Sequence, residues 1–132
     1  MRKKALAAAA VILVVLAAGV VILRGKMPYK ALKSSDIVSA AVHLSPPDET
    51  VQIADTEELV SCLSEVVLYH KDNSYTEYSG QAVTFTLTMA DGTQEKITAY
   101  APFVIINGTG YRAKYAPCEQ LNRFANQLLP TE

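Results

Sequence analysis

Residues 83–89 read VTFTLTM, with Val83, Phe85, Leu87 and Met89 in one phase and Thr84, Thr86 and Thr88 in the other. Alternation of period two puts each set on its own side of a pleated strand, so this strand has one dry face and one wet. Residues 90–92 read ADG, and residues 93–100 read TQEKITAY, where Ile97 and Ala99 resume the alternation. A two-residue turn on Asp91 and Gly92 would set Phe85 opposite Thr98 and mix the faces. A loop of Ala90, Asp91 and Gly92, with Gly92 left-handed in a G1 bulge, restores them. Phe85 then faces Ile97, Val83 faces Ala99, Thr84 faces Thr98 and Thr86 faces Lys96. Tyr100 falls on the threonine side.

Toward the C-terminus, residues 102–113 read PFVIINGTGYRA. This is a second hairpin, whose Asn107 and Gly108 suit the positive φ of a type I′ turn. Tyr111 opposes Val104 across a two-residue loop and Ile105 across a three-residue one, and the pattern permits both. Pro117 at a first helical position opens a closing helix with Leu121, Phe124, Ala125, Leu128 and Leu129 on one stripe; Pro130 ends it.

Toward the N-terminus, Asp55 and Glu58 have the form of a capping box, and Leu59, Leu63 and Val66 recur at helical spacing, which predicts a helix over residues 56–67. Residues 66–71, VVLYHK, leave it as a strand, and residues 72–80, DNSYTEYSG, are a loop. Residues 37–44, IVSAAVHL, alternate again, with Val38, Ala40, Val42 and Leu44 opposed to Ser39, Ala41 and His43. SPPDET, residues 45–50, breaks that strand, and a short strand at residues 51–54 follows. The order of elements reads as an α+β domain over residues 36–132, an antiparallel sheet with two helices on one face. Its threonine face stays open.

Residues 5–23, ALAAAAVILVVLAAGVVIL, are an unbroken apolar run between Arg2, Lys3 and Lys4 on one side and Arg24 and Lys26 on the other. As a helix such a run reaches roughly 28 Å, close to the hydrocarbon thickness of a bilayer. Val20 to Leu23 extend it beyond the small residues where a signal peptide would be cut, so it reads as an uncleaved transmembrane anchor. LAAG at residues 16–19 resembles the start of a lipoprotein signal, but the cysteine that would carry the lipid is absent. Residues 1–4 are then a cytoplasmic basic end and residues 24–35 a linker, with the long domain outside on the cell membrane. Residues 1–26 carry five basic and no acidic side chains and residues 27–132 carry seven and thirteen, giving +5 and −6 and the total of −1. An acidic outer domain is a poor partner for nucleic acid.

No catalytic set stands out. His43 and His70 are the only imidazoles, and neither has metal-ligand spacing to a cysteine or carboxylate pair. Glu57, Glu58 and Glu65 are explained as helix acids, and Asn107 by its turn rather than by a glycan. Cys62 and Cys118 are candidates for one disulfide in an exported domain, or for packed thiols on the two helices. Cys118 near a helix N-terminus would be a nucleophile only with a positioned base. No cofactor or metal is implied.

Tyrosine exceeds expectation, at seven residues with no tryptophan. Tyr75 and Tyr78 lie in a polar loop and Tyr100 on the open face, which makes these three the candidate interaction surface. From FVIINGTGYRAKY at residues 103–115, preceded by MADGTQEKIT and followed by an amphipathic helix, the chain resembles uncharacterised small extracytoplasmic domains of Gram-positive bacteria. The resemblance covers residues 81–129 and implies an anchored α+β module without assigned chemistry. The expectation is a non-enzymatic module bound to the bilayer through residues 5–23 and to an envelope protein or cell-wall component through the tyrosines. The alternatives are a thiol- or His-dependent enzyme using Cys118 or His70, and an inhibitor of an extracellular enzyme.

Overall fold

The computed structural model describes residues 25–130, a seven-stranded antiparallel sheet with two α-helices. In chain order these are β1 (Ile37–Ser45), β2 (Glu49–Gln52), α1 (Thr56–Ser64), β3 (Leu68–Lys71), β4 (Ala82–Met89), β5 (Gln94–Tyr100), β6 (Phe103–Ile106), β7 (Thr109–Ala113) and α2 (Tyr115–Gln127). The strand order is β2-β1-β4-β5-β6-β7-β3. Residues 5–23, read as the membrane span, lie outside the described residues. Among the described residues no helix is long and apolar enough to cross a membrane.

β4 and β5 pair as their alternation requires, Phe85 with Ile97, Val83 with Ala99, Thr84 with Thr98 and Thr86 with Lys96. Gly92 has φ +88°, and its N–H donates to the Met89 carbonyl at 2.9 Å, which closes the three-residue loop. The open register of the second hairpin resolves to a two-residue turn. Val104 pairs with Tyr111 and Ile106 with Thr109, with Asn107 and Gly108 at φ +49° and +91°.

Val42, Leu44, Val83, Phe85, Leu87, Ile97 and Val104 leave the sheet on one side and are fully buried with Leu59, Leu63 and Leu121 of the helices. The Phe85 and Phe124 rings lie 6.2 Å apart at the centre of this core. Both helices therefore cover the same face, and the amphipathic stripe of each is what the sheet buries.

Several boundaries differ from those the pattern suggests. Val38, expected on the dry face of β1, is 70% exposed, because the pairing with β4 shifts between Ile37 and Ser39 and leaves Val38 as the extra residue of a bulge. Ile37 takes its place in the core. β2 starts at Glu49 rather than residue 51, since the turn after β1 is completed by Asp48 at φ +72°. The first helix ends at Ser64, not near residue 67, because the Val67 carbonyl accepts the Lys114 N–H at 2.9 Å and draws the chain into the sheet edge. The last helix starts two residues before Pro117, which a proline permits while the first-turn N–H groups have no intrahelical acceptor.

Residues 25–35, read as a linker, dock on the domain. Lys26 and Leu68 exchange backbone hydrogen bonds of 2.7 Å in each direction. Tyr29 is buried in the core and its hydroxyl donates to Glu95 Oε1 at 3.1 Å. Burial, with the Glu95 carboxylate beside it, pushes the Tyr29 hydroxyl pKa far above the ordinary phenol value.

Candidate functional site

The wet face of the sheet is open over β1, β4 and part of β5, and covered beyond them. Tyr100 pairs with Phe103 across the turn at Ala101 and Pro102, so Phe103 stands on the threonine side with Ile105, which pairs with Thr98. Phe103 is fully buried there, outside the main core. Its cover is the strap of residues 72–80, which contains a short 3₁₀ turn, Ser74–Glu77.

Polar contacts seat the strap on β7. The Asp72 N–H donates to the Gly110 carbonyl at 2.9 Å, and Asn73 Oδ1 accepts the Gly110 N–H at 2.8 Å. Asp72 also accepts the Ser74 N–H at 2.9 Å and the Arg112 Nε–H at 3.3 Å. Ser74 first and Arg112 second hold its carboxyl below the usual carboxylate range. The Arg112 guanidinium lies 4.7 Å from the Phe103 ring centre, a cation–π contact. Tyr75 meets the same ring edge-on at 6.4 Å, and Tyr78 meets it at 5.4 Å.

This arrangement brings the three sequence-predicted tyrosines together. Tyr75, Tyr78, Ala82, Thr98, Tyr100 and Ile105 line one hollow of about 330 Å³ on the open face. Tyr75 is half-buried as a support for Phe103, rather than free in a loop; Tyr78 is 55% exposed and Tyr100 intermediate. On one side Thr84 and Thr98 share a 2.9 Å hydrogen bond, which joins the hollow to a threonine floor reaching His43 and Lys96. On the other side Tyr78 and Tyr100 also border a cleft of about 340 Å³ with Gln81, Tyr115, Asn122 and Arg123.

The amides in that second cleft are a feature the sequence reading missed. Gln81 Oε1 accepts from Asn122 and Asn126, each at 2.9 Å, while its Nε2 donates to Pro46 O at 2.8 Å and Asn126 Oδ1 at 3.1 Å. The spacing of Asn122 and Asn126, four apart on one helix side, was the available signal. Nothing local marked Gln81 as their partner.

The other candidates lie outside the tyrosine hollow, although Cys118 belongs to the lining of the second cleft. Cys62 and Cys118 are free, buried thiols. Cys62 borders a hollow with Gln120 and Phe124, whereas Cys118 donates to the Phe103 carbonyl at 3.7 Å. Positions 118 and 120 are about 200° apart around a helix, so the face that meets Cys62 is not the one carrying Cys118. Burial pushes the Cys118 thiol up to about 11, and burial followed by Glu58 and Glu65 raises Cys62, so both hold their protons at neutral pH. His70 is exposed, its Nδ1 3.2 Å from the Lys71 carbonyl. His43 sits between Thr50 and Asp48, each at 2.8 Å. Among the described residues no group of three His, Cys, Asp or Glu side chains is placed to hold a metal ion.

Compared with protein-family models, with curated proteins and with solved structures, the chain matches none.

Proposed function

We propose that the chain is a single-pass, membrane-anchored extracytoplasmic binding module, of the kind found among small envelope domains of Gram-positive bacteria, and that the tyrosine hollow is where it holds a protein partner or cell-wall component. The observation that carries this reading is the convergence of Tyr75, Tyr78 and Tyr100 from two separate segments around one open hollow. Its lining combines apolar Ala82 and Ile105 with three phenols and the Thr98 hydroxyl. Amphipathic aromatics over an apolar centre with a polar rim are the composition of recognition surfaces. The rigid support of Tyr75 and Tyr78 on Phe103 lowers the entropy lost on binding. A thiol enzyme has less to stand on, because the Cys118 proton is retained and its sulfur faces a backbone carbonyl.

The test is crosslinking in living cells from a photoreactive side chain at Thr98. A discrete adduct is expected, lost when Tyr78→Ser and Tyr100→Ser are combined. Adduct formation that survives both changes would move the binding surface elsewhere. Anchor and orientation are tested on the same cells. The protein is expected in the carbonate-washed membrane at full length, and protease added outside is expected to digest the domain. A soluble processed form, or a domain protected until lysis, would reject that part of the proposal.

A further inference from the structure

We infer that the domain stands on its β3 edge on the bilayer that holds the chain, docked by a basic, amphipathic surface on anionic lipid headgroups. This rests on reading residues 5–23 as a span. The apolar run ends at Leu23, and the chain is already fixed to the domain at Lys26, by hydrogen bonds of 2.7 Å in both directions with Leu68 of β3. Three residues extend at most about 11 Å. Nor is there slack at the point of attachment. Gly25 has φ +77°, and a Cβ on it would come within 2.6 Å of the Leu68 carbonyl and 2.8 Å of Val67 Cγ1. The headgroup zone is roughly 5–8 Å deep on each side of a bilayer. A span ending at Leu23 therefore holds the Leu68 end of β3 within about 11 Å of the hydrocarbon, at the level of the headgroups or just above them.

The surface at that edge has the matching chemistry. Lys26 and Lys30 at the start of the docked segment, Lys71 of β3 and Lys114 beside Val67 are all exposed. Met27 and Tyr69 add apolar area among them, at 42% and 41% exposed. Residues 27–132 carry thirteen acids against seven bases, so this basic cluster runs against the charge of the domain as a whole. Asp72, next to Lys71, is engaged by Arg112. Lysines attract anionic headgroups, and tyrosines settle at the membrane–water boundary. The same contact protects an edge strand that would otherwise offer a template for pairing.

Because neighbouring strands lie about 4.8 Å apart, β6 would stand roughly 10 Å and β1 roughly 24 Å from the β3 edge. The tyrosine hollow, between β4 and β6, would then open sideways above the headgroups.

The chain has no tryptophan, so a single one reports its own depth. Full-length Tyr69→Trp and Val38→Trp proteins are reconstituted in vesicles of phosphatidylglycerol or phosphatidylcholine whose acyl chains are brominated near the headgroup. Flotation with the vesicles reads the anchor, and fluorescence quenching reads the docking. In phosphatidylglycerol, quenching about threefold greater at position 69 than at position 38 is expected, since interfacial aromatics sit at headgroup level. It is expected to fall with Lys30→Glu plus Lys71→Glu, to survive Lys30→Arg plus Lys71→Arg, and to weaken at about 1 M salt, where screening acts within about 3 Å. Protein that floats but is quenched equally at both positions would overturn the docking and leave the anchor standing. Quenching as strong in phosphatidylcholine, and indifferent to Lys30→Glu plus Lys71→Glu, would overturn the anionic partner. Protein that does not float would remove the anchor and the docking together.

Discussion

Gly110→Ala separates the strap from the sheet without substituting any tyrosine. A Cβ at Gly110 would lie 2.6 Å from the Asp72 carbonyl oxygen and 2.7 Å from Tyr75 Cδ1. The ring can swing, but the carbonyl is held, because the Asp72 N–H and Asn73 Oδ1 both bond the Gly110 backbone. If the strap stays, the methyl overpacks the contact, at about 1–3 kcal/mol. If it lifts, two hydrogen bonds worth about 0.5–1.5 kcal/mol each are lost. Either route comes to about 2 kcal/mol, which raises the open population of the strap by up to about thirtyfold. Amide hydrogen exchange reads this directly at Asp72, whose N–H donates to the Gly110 carbonyl, and at position 110, whose N–H donates to Asn73 Oδ1. Exchange at both is expected to quicken while β4 and β5 keep their protection. Crosslinking from Thr98 should weaken in parallel. Gly108→Ala is the control, since its Cβ meets nothing within 4 Å and its strain at φ +91° is confined to the turn. Unchanged exchange at Asp72 and at position 110 in Gly110→Ala would refute the seating of the strap on β7.

Phe85→Ala, at a fully buried position facing Ile97 and Phe124, should destabilise the domain by about 3–5 kcal/mol. Pulse proteolysis in urea checks it, and a midpoint close to wild type would place Phe85 outside the core. Both thiols should resist a polar thiol reagent in the folded protein and react once it unfolds, because Cys62 and Cys118 are buried and hold their protons. Prompt labelling of Cys118 under native conditions would reopen the nucleophile reading. The Asp72 carboxyl has a depressed pKa, so its contribution is present above the unfolded value and is lost as pH falls through the folded one. Strap protection, corrected for intrinsic exchange, should hold from neutral pH down to about 4 and decline below it; Asp72→Asn should weaken it at neutral pH and remove the decline, and a decline that persists in Asp72→Asn would assign it to another group.

The tyrosine site was legible in its members and not in its construction. Alternation along residues 83–100 put Tyr100 on the wet face, and the polarity of residues 72–80 marked Tyr75 and Tyr78 as loop aromatics. Phe103 was the missing piece. With the turn at Ala101 and Pro102 it pairs with Tyr100 and so stands on the wet side, where an apolar ring needs a cover. Turn length alone decides this parity, and the local sequence allowed more than one.

Period-two alternation and turn chemistry, which act within a few residues, determined from the sequence the β4–β5 register, the G1 bulge at Gly92 and the α+β class. Helical stripes did the same for the two helices, because burial of one face leaves a periodic trace. The tertiary structure decided what joins distant segments: the docking of Lys26 on β3 and of Tyr29 on Glu95, the bulge that turns Val38 outward, and the strap held by Asp72 and Asn73 on Gly110. Those contacts depend on single backbone hydrogen bonds and close approaches across 37 or more residues, which leave no periodic signal in the chain.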